Sequence, residues 1–526
     1  MMTDVVSRSR VGSAAVILWG GLLVLGLIGA AAIWSATWLG PGLGSDSAVY
    51  VAGGQNLATG HGLTWRTGPD TYRLSIHPPF YSAALAAFEL LGVGAVAGSR
   101  LLGILAMAAT AILAGSLVFQ MTRSAVISLL IAGLLIGTAD MVRTYSSALT
   151  EGFYIALFLA SLCLTYRYLQ KPTWHRLLVL ALCASLLPLT KYAGLSAVAA
   201  LGVVIALVKG KTRSTKVRHL LAYTAVALAP FALWTIGNVW QEGSGTGRPL
   251  TWNSVAPEVV KNATTLLARW LFPLDASQSI LGGVRTRYLA LAAAVSLVAA
   301  GVLSVRRWRA SLRSGVGMDP SEALTVVAVA AGWAYLAFHA MAILASSPQP
   351  DTNERTLLPL LPIMLLVAGW LIGEAWKRGR LVGRIAVLAL CAFIIWDRPV
   401  VSYRTTEELA QLGSGYSSVY WRDSEVAARL REIPGQIVYT DDEGAVFFLA
   451  DRFPYSLPSK WNDEGSERAQ YPKELARMRE RLRDGGLLVL FNPSPRLPQY
   501  PPYEELTSGL QEIFASDSGG IYAWPR

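Results

Sequence analysis

The sequence predicts a polytopic α-helical membrane protein that ends in a small α/β domain. Three observations lead there. Of the 526 residues, 53% are hydrophobic and 15% are charged, well short of the roughly 25% charged residues of soluble domains. Apolar runs near the ~20 residues needed to cross hydrocarbon recur through about the first 400 residues. After residue 398 the composition changes to charged stretches separated by short apolar runs.

About eleven spans are expected, near 14–38, 97–120, 125–141, 150–168, 175–190, 192–208, 219–240, 286–304, 322–345, 355–374 and 382–397. Arg8 and Arg10 before the first run resemble a signal peptide, but the run is too long for one and no small-residue cleavage site follows it. It is therefore read as a retained helix. The net charge of +11 lies in the short loops between spans, where it sets topology rather than binding nucleic acid. Loops carrying Arg8 and Arg10, Arg123, Arg167 to Arg176, Lys209 to Arg218, Arg306 to Arg313 and Lys377 to Arg384 alternate with basic-poor ones. They assign the N-terminus to the cytoplasm, and place loops 39–96 and 241–285 and the tail 399–526 outside. A transmembrane domain at 1–398 and an extracytoplasmic α/β domain at 399–526 follow. Strands are expected at Gln436–Tyr439, Leu487–Phe491 and Gly520–Trp524, with helices near 422–432 and 472–484. The three cysteines, Cys163, Cys183 and Cys391, sit inside apolar runs, so no disulfide framework is expected.

The outer segments hold the residues able to carry chemistry. Asp46, just past the first span, is placed to take a proton from a hydroxyl; capping the helix that Ala48–Leu57 suggests is an equal claim on it. The loop beyond offers Tyr50, Tyr72, Arg73 and His77, and Pro78 and Pro79 lead into an apolar helix at Phe80–Leu91. Glu151 opens a span, where an acid is either functional or a partner for the helix N-terminus. Lys191 and Arg355 are outside cations against the positive-inside trend, as is Arg248; each suits a phosphate, and snorkelling or anchoring explains each as well. Tyr145 completes the set. No phosphate-binding loop, H-E-x-x-H, G-x-S-x-G or paired C-x-x-C motif is found, and the five histidines do not cluster. No cofactor is expected, and a divalent metal is left open without a motif to support it.

Asp46 with Ala48 and Tyr50, then Asn56, Leu57, Gly60 and Gly62, then His77, Pro78, Pro79 and Tyr81, resemble the GT-C membrane glycosyltransferases. More narrowly the pattern is similar to a bacterial family 39-like group, relatives of protein O-mannosyltransferases and of the aminoarabinose transferase. Thr150 with Glu151, Thr190 with Lys191 and Tyr192, Trp234 with Asn238, Gly247 with Arg248, and Asn353 to Arg355 with Pro359 and Pro362 fit in the same order. In the tail, Gly415, Tyr416, Trp421, Tyr439 and Pro458 carry the likeness. The resemblance implies inverting transfer of a sugar, hexosyl or pentosyl, from a polyprenyl-phosphate donor to a glycan, lipid or protein acceptor of the cell envelope, at the outer face of a bacterial plasma (inner) membrane. It implies that Asp46 is the base, that Lys191, Arg355, Arg73 and Arg248 meet the donor phosphate, and that Tyr50, Tyr72, His77, Tyr145 and Glu151 contact substrate. Ser47 stands where protein mannosyltransferases carry a second acid, which argues against protein mannosylation and metal dependence. The competing expectation is a transporter or flippase of lipid-linked or small polar substrates. It is weakened because the polar residues gather at one face, whereas transporters concentrate them near the midplane.

Overall fold

The computed structural model describes the chain except residue 1 and the stretches 68–69, 249–250, 272–297, 299–300, 311–312, 314–317, 347–348, 380–383, 386–387, 389–397, 434–436, 463–465, 493–497 and 526. The described chain divides into two compact units. The first comprises Met1–Ala36, Ser75–Tyr81 and Arg100–Leu409, and the second Thr37–Leu74, Ser82–Ser99 and Ala410–Arg526.

The first unit is helical. Among the described residues six helices are long and apolar enough to cross a bilayer: Ala15–Ala36, Ala95–Thr122, Thr150–Gln170, Arg213–Glu242, Pro320–Ala345 and Leu360–Arg378. They match six of the expected spans. The expected spans at 175–190 and 192–208 are the shorter apolar helices Trp174–Thr190 and Gly194–Leu207. Those at 286–304 and 382–397 lie largely outside the described residues. Met107, Leu117, Phe158, Leu162, Leu180, Leu201, Leu324 and Leu361 from six helices form one continuous core. Val16, Leu23, Val24 and Leu27 stay exposed on the first helix, as an apolar helix does when lipid is its solvent.

The expected span at 125–141 is not one rod. Helix Ala125–Ile136 ends at Gly137 and a second helix, Ala139–Tyr145, leaves at 61°. A break in so apolar a helix frees backbone carbonyls that need donors, and side chains supply them. The Thr138 hydroxyl donates to the Leu134 carbonyl at 2.8 Å, and that of Ser402 to the Ile136 carbonyl at 3.2 Å. Arg398 then donates to Thr138 Oγ1 at 2.8 Å.

The second unit is built on a five-stranded mixed sheet in the order β4-β3-β5-β7-β6. Its strands are β3 Val438–Thr440, β4 Tyr455–Ser456, β5 Leu487–Phe491, β6 Gln511–Ser516 and β7 Gly519–Ala523. The first three are parallel, and β7 and β6 add antiparallel to β5. The period of two along β5 sorts its side chains. Leu487, Val489 and Phe491 pack with Val426, Leu430, Val446 and Leu449, while Leu488 and Leu490 pack with Met478, Leu482 and Leu506. Helices Glu425–Glu432 and Glu443–Ala450 therefore cover one face, and Tyr471–Arg483 the other. The same unit holds helix Ser45–Ala58 and the hairpin β1 Thr64–Thr67 with β2 Asp70–Arg73.

Candidate functional site

In the first unit, three sequence-predicted residues meet at one point. Glu151 lies in the first turn of helix Thr150–Gln170, where its charge suits the N-terminal dipole. Lys191 sits at the C-terminal end of helix Trp174–Thr190, where a cation is favoured. Arg355 belongs to the short helix Glu354–Leu357, which Asn353 caps by accepting from Thr356 N at 3.0 Å. Lys191 Nζ reaches Glu151 Oε1 at 3.0 Å and Arg355 Nε reaches the same oxygen at 2.9 Å. The Glu151 side chain is 1% exposed, those of Lys191 and Arg355 21% and 36%. One buried carboxylate thus orients two cations that still reach solvent, and the group carries a surplus positive charge. Tyr335 fixes the Arg355 segment by donating to the Thr356 carbonyl at 2.6 Å.

The neighbouring segment brings Tyr192, Arg248 and the approach to His77 together. Tyr192 donates to the Ser75 carbonyl at 2.8 Å, and the charge of Arg248 acts on the Tyr192 hydroxyl. Gly247, at φ +65°, lies against Ser75 and Ile76 so closely that a Cβ would stand 2.7 Å from Ser75 Oγ. His77, two residues on, is half-buried. Tyr145 is placed otherwise. It is buried in the helical core and its hydroxyl pairs with Thr110 Oγ1 at 2.8 Å.

Asp46, Tyr50, Tyr72 and Arg73 belong to the second unit. Asp46 is in the first turn of helix Ser45–Ala58, and the N-cap is Gly44, whose amide donates to Ser47 Oγ at 3.0 Å. The side-chain contact at the N-cap is thus made by Ser47, and Asp46 is half-exposed in the first turn. Tyr50 is buried one turn on. In the hairpin Trp65 faces Tyr72 and Thr64 faces Arg73; Asn56 ties this hairpin to the helix by donating to the Thr64 carbonyl at 2.7 Å.

Two clusters carry no motif that sequence reasoning could seize. In the first unit, Asp140 accepts from Arg269 at 2.7 Å and from the Trp270 indole at 2.8 Å, and Arg398 donates to the Trp270 carbonyl. In the second, Asp70 accepts from Arg481 at 2.8 Å and from the Tyr455 hydroxyl at 2.9 Å. Arg481 and Tyr455 hold the Asp70 carboxyl below its ordinary range, and burial with the Asp70 charge pushes the Tyr455 phenol up to about 12. Burial lifts Asp441, at the end of β3, to about 6, although Tyr503 donates to it at 2.7 Å. Among the described residues no group of three or more His, Cys, Asp or Glu is arranged to hold a metal ion.

No protein-family model and no curated protein matches the chain. Solved structures do. ArnT from Cupriavidus metallidurans, solved with undecaprenyl phosphate bound, superposes with a TM-score of 0.51 at 14% identity, covering 96% of this chain and 99% of that one. The Archaeoglobus fulgidus oligosaccharyltransferase, solved with zinc and sulfate, gives 0.50 at 12% identity over 89% and 68%. The mycobacterial arabinofuranosyltransferase AftD gives 0.50 at 15% identity, with 96% of this chain on 40% of that one. All three are GT-C enzymes. This chain has the GT-C fold. At such identities the likeness establishes architecture, matching the fold class that the motifs around Asp46, His77 and Arg355 imply.

Proposed function

We propose that the protein is an inverting glycosyltransferase that moves a sugar from a polyprenyl-phosphate donor to a cell-envelope acceptor at the outer face of a bacterial inner membrane. The observation that carries this reading is the shared grip of Glu151 on Lys191 and Arg355. A phosphate leaving group brings negative charge that must be neutralised as it departs, and two oriented cations with a net positive surplus do that without a nucleotide fold. The GT-C fold, and a fold neighbour solved with undecaprenyl phosphate, support the donor class.

In this reading Asp46 takes the proton from the acceptor hydroxyl as its oxygen attacks the anomeric carbon. The bond to the phosphate oxygen breaks on the opposite side, and the sugar inverts. Lys191 and Arg355 receive the leaving phosphate, with Arg73 and Arg248 as further cations. Tyr72 and His77 contact substrate, and the buried Tyr50 supports the helix that carries Asp46. Glu151 acts as a positioning residue for the two cations, and Tyr145 supports the core beside them. Metal dependence is not part of the reading.

The test is sugar transfer in proteoliposomes from a panel of undecaprenyl-phosphate sugars, with Asp46→Asn and Lys191→Ala beside the wild type. Loss of a general base is expected to lower turnover by roughly 10²–10⁴-fold in Asp46→Asn. Full transfer by that variant sinks the base assignment. Movement of the lipid-linked sugar across the bilayer with no transfer sinks the enzyme reading in favour of a flippase.

A further inference from the structure

The second unit has an open cavity of ≈ 600 Å3 that none of the roles above uses as a whole. Its size is within the ~300–1,000 Å3 of small-molecule clefts. Ser45, Ala48 and Val49 from the helix that bears Asp46 form one part of its wall, and Trp65, Tyr72 and Tyr455 another. Trp65 and Tyr72 are direct cross-strand partners in the hairpin, so their side chains leave it on the same face. Tyr72 is 51% exposed, leaving its ring available to a ligand.

The charged part of the wall is closely balanced. Arg477 and Arg481 both reach Asp70, at 3.8 and 2.8 Å. Glu474 is held by both terminal nitrogens of Arg468, at 3.0 and 3.2 Å. The one surplus positive charge, from two arginines on one aspartate, is offset by Glu443 in the same wall. This differs from the Lys191–Arg355 group, where positive charge is left over. A wall with paired charges and one exposed aromatic ring, that of Tyr72, disfavours phosphate or a carboxylate-rich ligand. It suits a molecule with many hydroxyls for the charged side chains and weakly positive C–H groups for the negative face of the Tyr72 ring.

We infer that this cavity binds the acceptor as an uncharged saccharide, so that the enzyme extends or decorates a neutral glycan rather than a lipid headgroup or a peptide. The inference rests on the glycosyltransferase reading, and narrows its acceptor to one class. Asp46 lies next to the cavity-lining Ser45 at the N-terminal end of the same helix, where a base for a saccharide hydroxyl is wanted.

Binding is measured on the full-length protein in detergent, by saturation-transfer NMR and titration calorimetry. The probes are short neutral oligosaccharides of hexoses or pentoses, and the same chains bearing a uronate carboxylate or a phosphate monoester. The wild type is expected to bind at least one neutral chain and to prefer it over its charged counterparts. Tyr72→Ala removes one half-exposed ring and is expected to weaken that binding about tenfold. Glu474→Gln frees Arg468 and gives the wall a net positive charge; it is expected to shift preference towards the uronate chain, which a merely damaged fold would not do. The inference is overturned if no neutral oligosaccharide binds, if charged chains are preferred by the wild type, or if both variants bind as the wild type does. It is also overturned, with the glycosyltransferase reading intact, if sugar is transferred to a lipid or peptide and no neutral oligosaccharide competes. Binding of neutral chains by both wild type and Asp46→Asn, with no transfer from any polyprenyl donor, leaves the cavity standing and removes the enzyme reading.

Discussion

At the scale of single residues, Glu151 decides whether the cation pair exists. Two like charges brought to one oxygen repel each other unless the carboxylate remains ionised between them. Both cations reach solvent, which softens the loss. Glu151→Gln is therefore expected to destabilise the protein by about 2–3 kcal/mol, below the ~3–5 kcal/mol of a fully buried pair that loses one partner. Lys191→Ala should cost less, because Arg355 still holds the buried carboxylate at 2.9 Å. Chemical unfolding of both variants in detergent gives the comparison, and a Glu151→Gln protein more stable than Lys191→Ala would refute the arrangement. The three types were each visible in the sequence as an acid at a span start and two misplaced cations. Their meeting was not, since 40 and 204 residues separate Glu151 from its partners and no local pattern records such a pairing. For Asp46 the sequence alone supports cap and catalyst equally. The geometry gives the side-chain contact at the N-cap to Ser47, a distinction that needs the hydroxyl's position and not only its presence in the chain.

At the scale of elements, legibility followed apolar content. Strands β3, β5 and β7 and the helices at 425–432 and 471–483 fall within a few residues of expectation, because their buried sides are rich in Val, Leu and Ile. Strand β6 carries no apolar alternation because its side chains are mostly exposed, and β4 is too short at two residues to show any. The Thr, Arg and Asp residues of the hairpin β1–β2 read as loop in the sequence. Helix Glu443–Ala450, with Val446, Phe447, Phe448 and Leu449 in succession, has too few turns for a helical period to stand out. A further element is a short parallel bridge from Leu43 to Gly415. Gly415 has φ +55°, and a Cβ there would stand 1.8 Å from the Leu43 carbonyl oxygen, which Tyr416 N needs as its acceptor at 2.9 Å. Gly415→Ala is expected to cost about 2–4 kcal/mol, combining the ~1–2 kcal/mol of a left-handed side chain with overpacking. Gly509, at φ +79° with open space around its Cβ position, is the control: Gly509→Ala should cost only the ~1–2 kcal/mol backbone penalty. Equal losses at the two sites, measured by thermal unfolding, would show that the bridge does not form.

At the scale of the whole molecule, the second unit is assembled from three separate stretches of chain, 37–74, 82–99 and 410–526. The first stretch brings helix Ser45–Ala58 with Asp46, and the last brings the entire five-stranded sheet. Their joint is polar and specific. Thr67 donates to the Pro454 carbonyl at 3.0 Å, Tyr455 donates to the Thr67 carbonyl at 2.8 Å, and Asp70 receives Arg481. Trp65 packs its ring against Phe447 and Phe453 at centroid distances of 5.3 and 5.2 Å. A two-stranded hairpin alone is marginal in water, so residues 64–73 depend on these contacts. Ending the chain after residue 409 should therefore leave the hairpin unfolded while the helical core of the first unit, whose side chains pack among themselves, persists. Trypsin reports this directly, because Arg66 lies in β1 and Arg73 in β2, where strand pairing resists cleavage in the full chain. In the truncated protein both bonds should be cut early, and sugar transfer should vanish although Asp46 is intact, because the hairpin braces its helix through Asn56. Unchanged protection of Arg66 and Arg73 after truncation would mean that the hairpin and the Asp46 helix stand without the sheet.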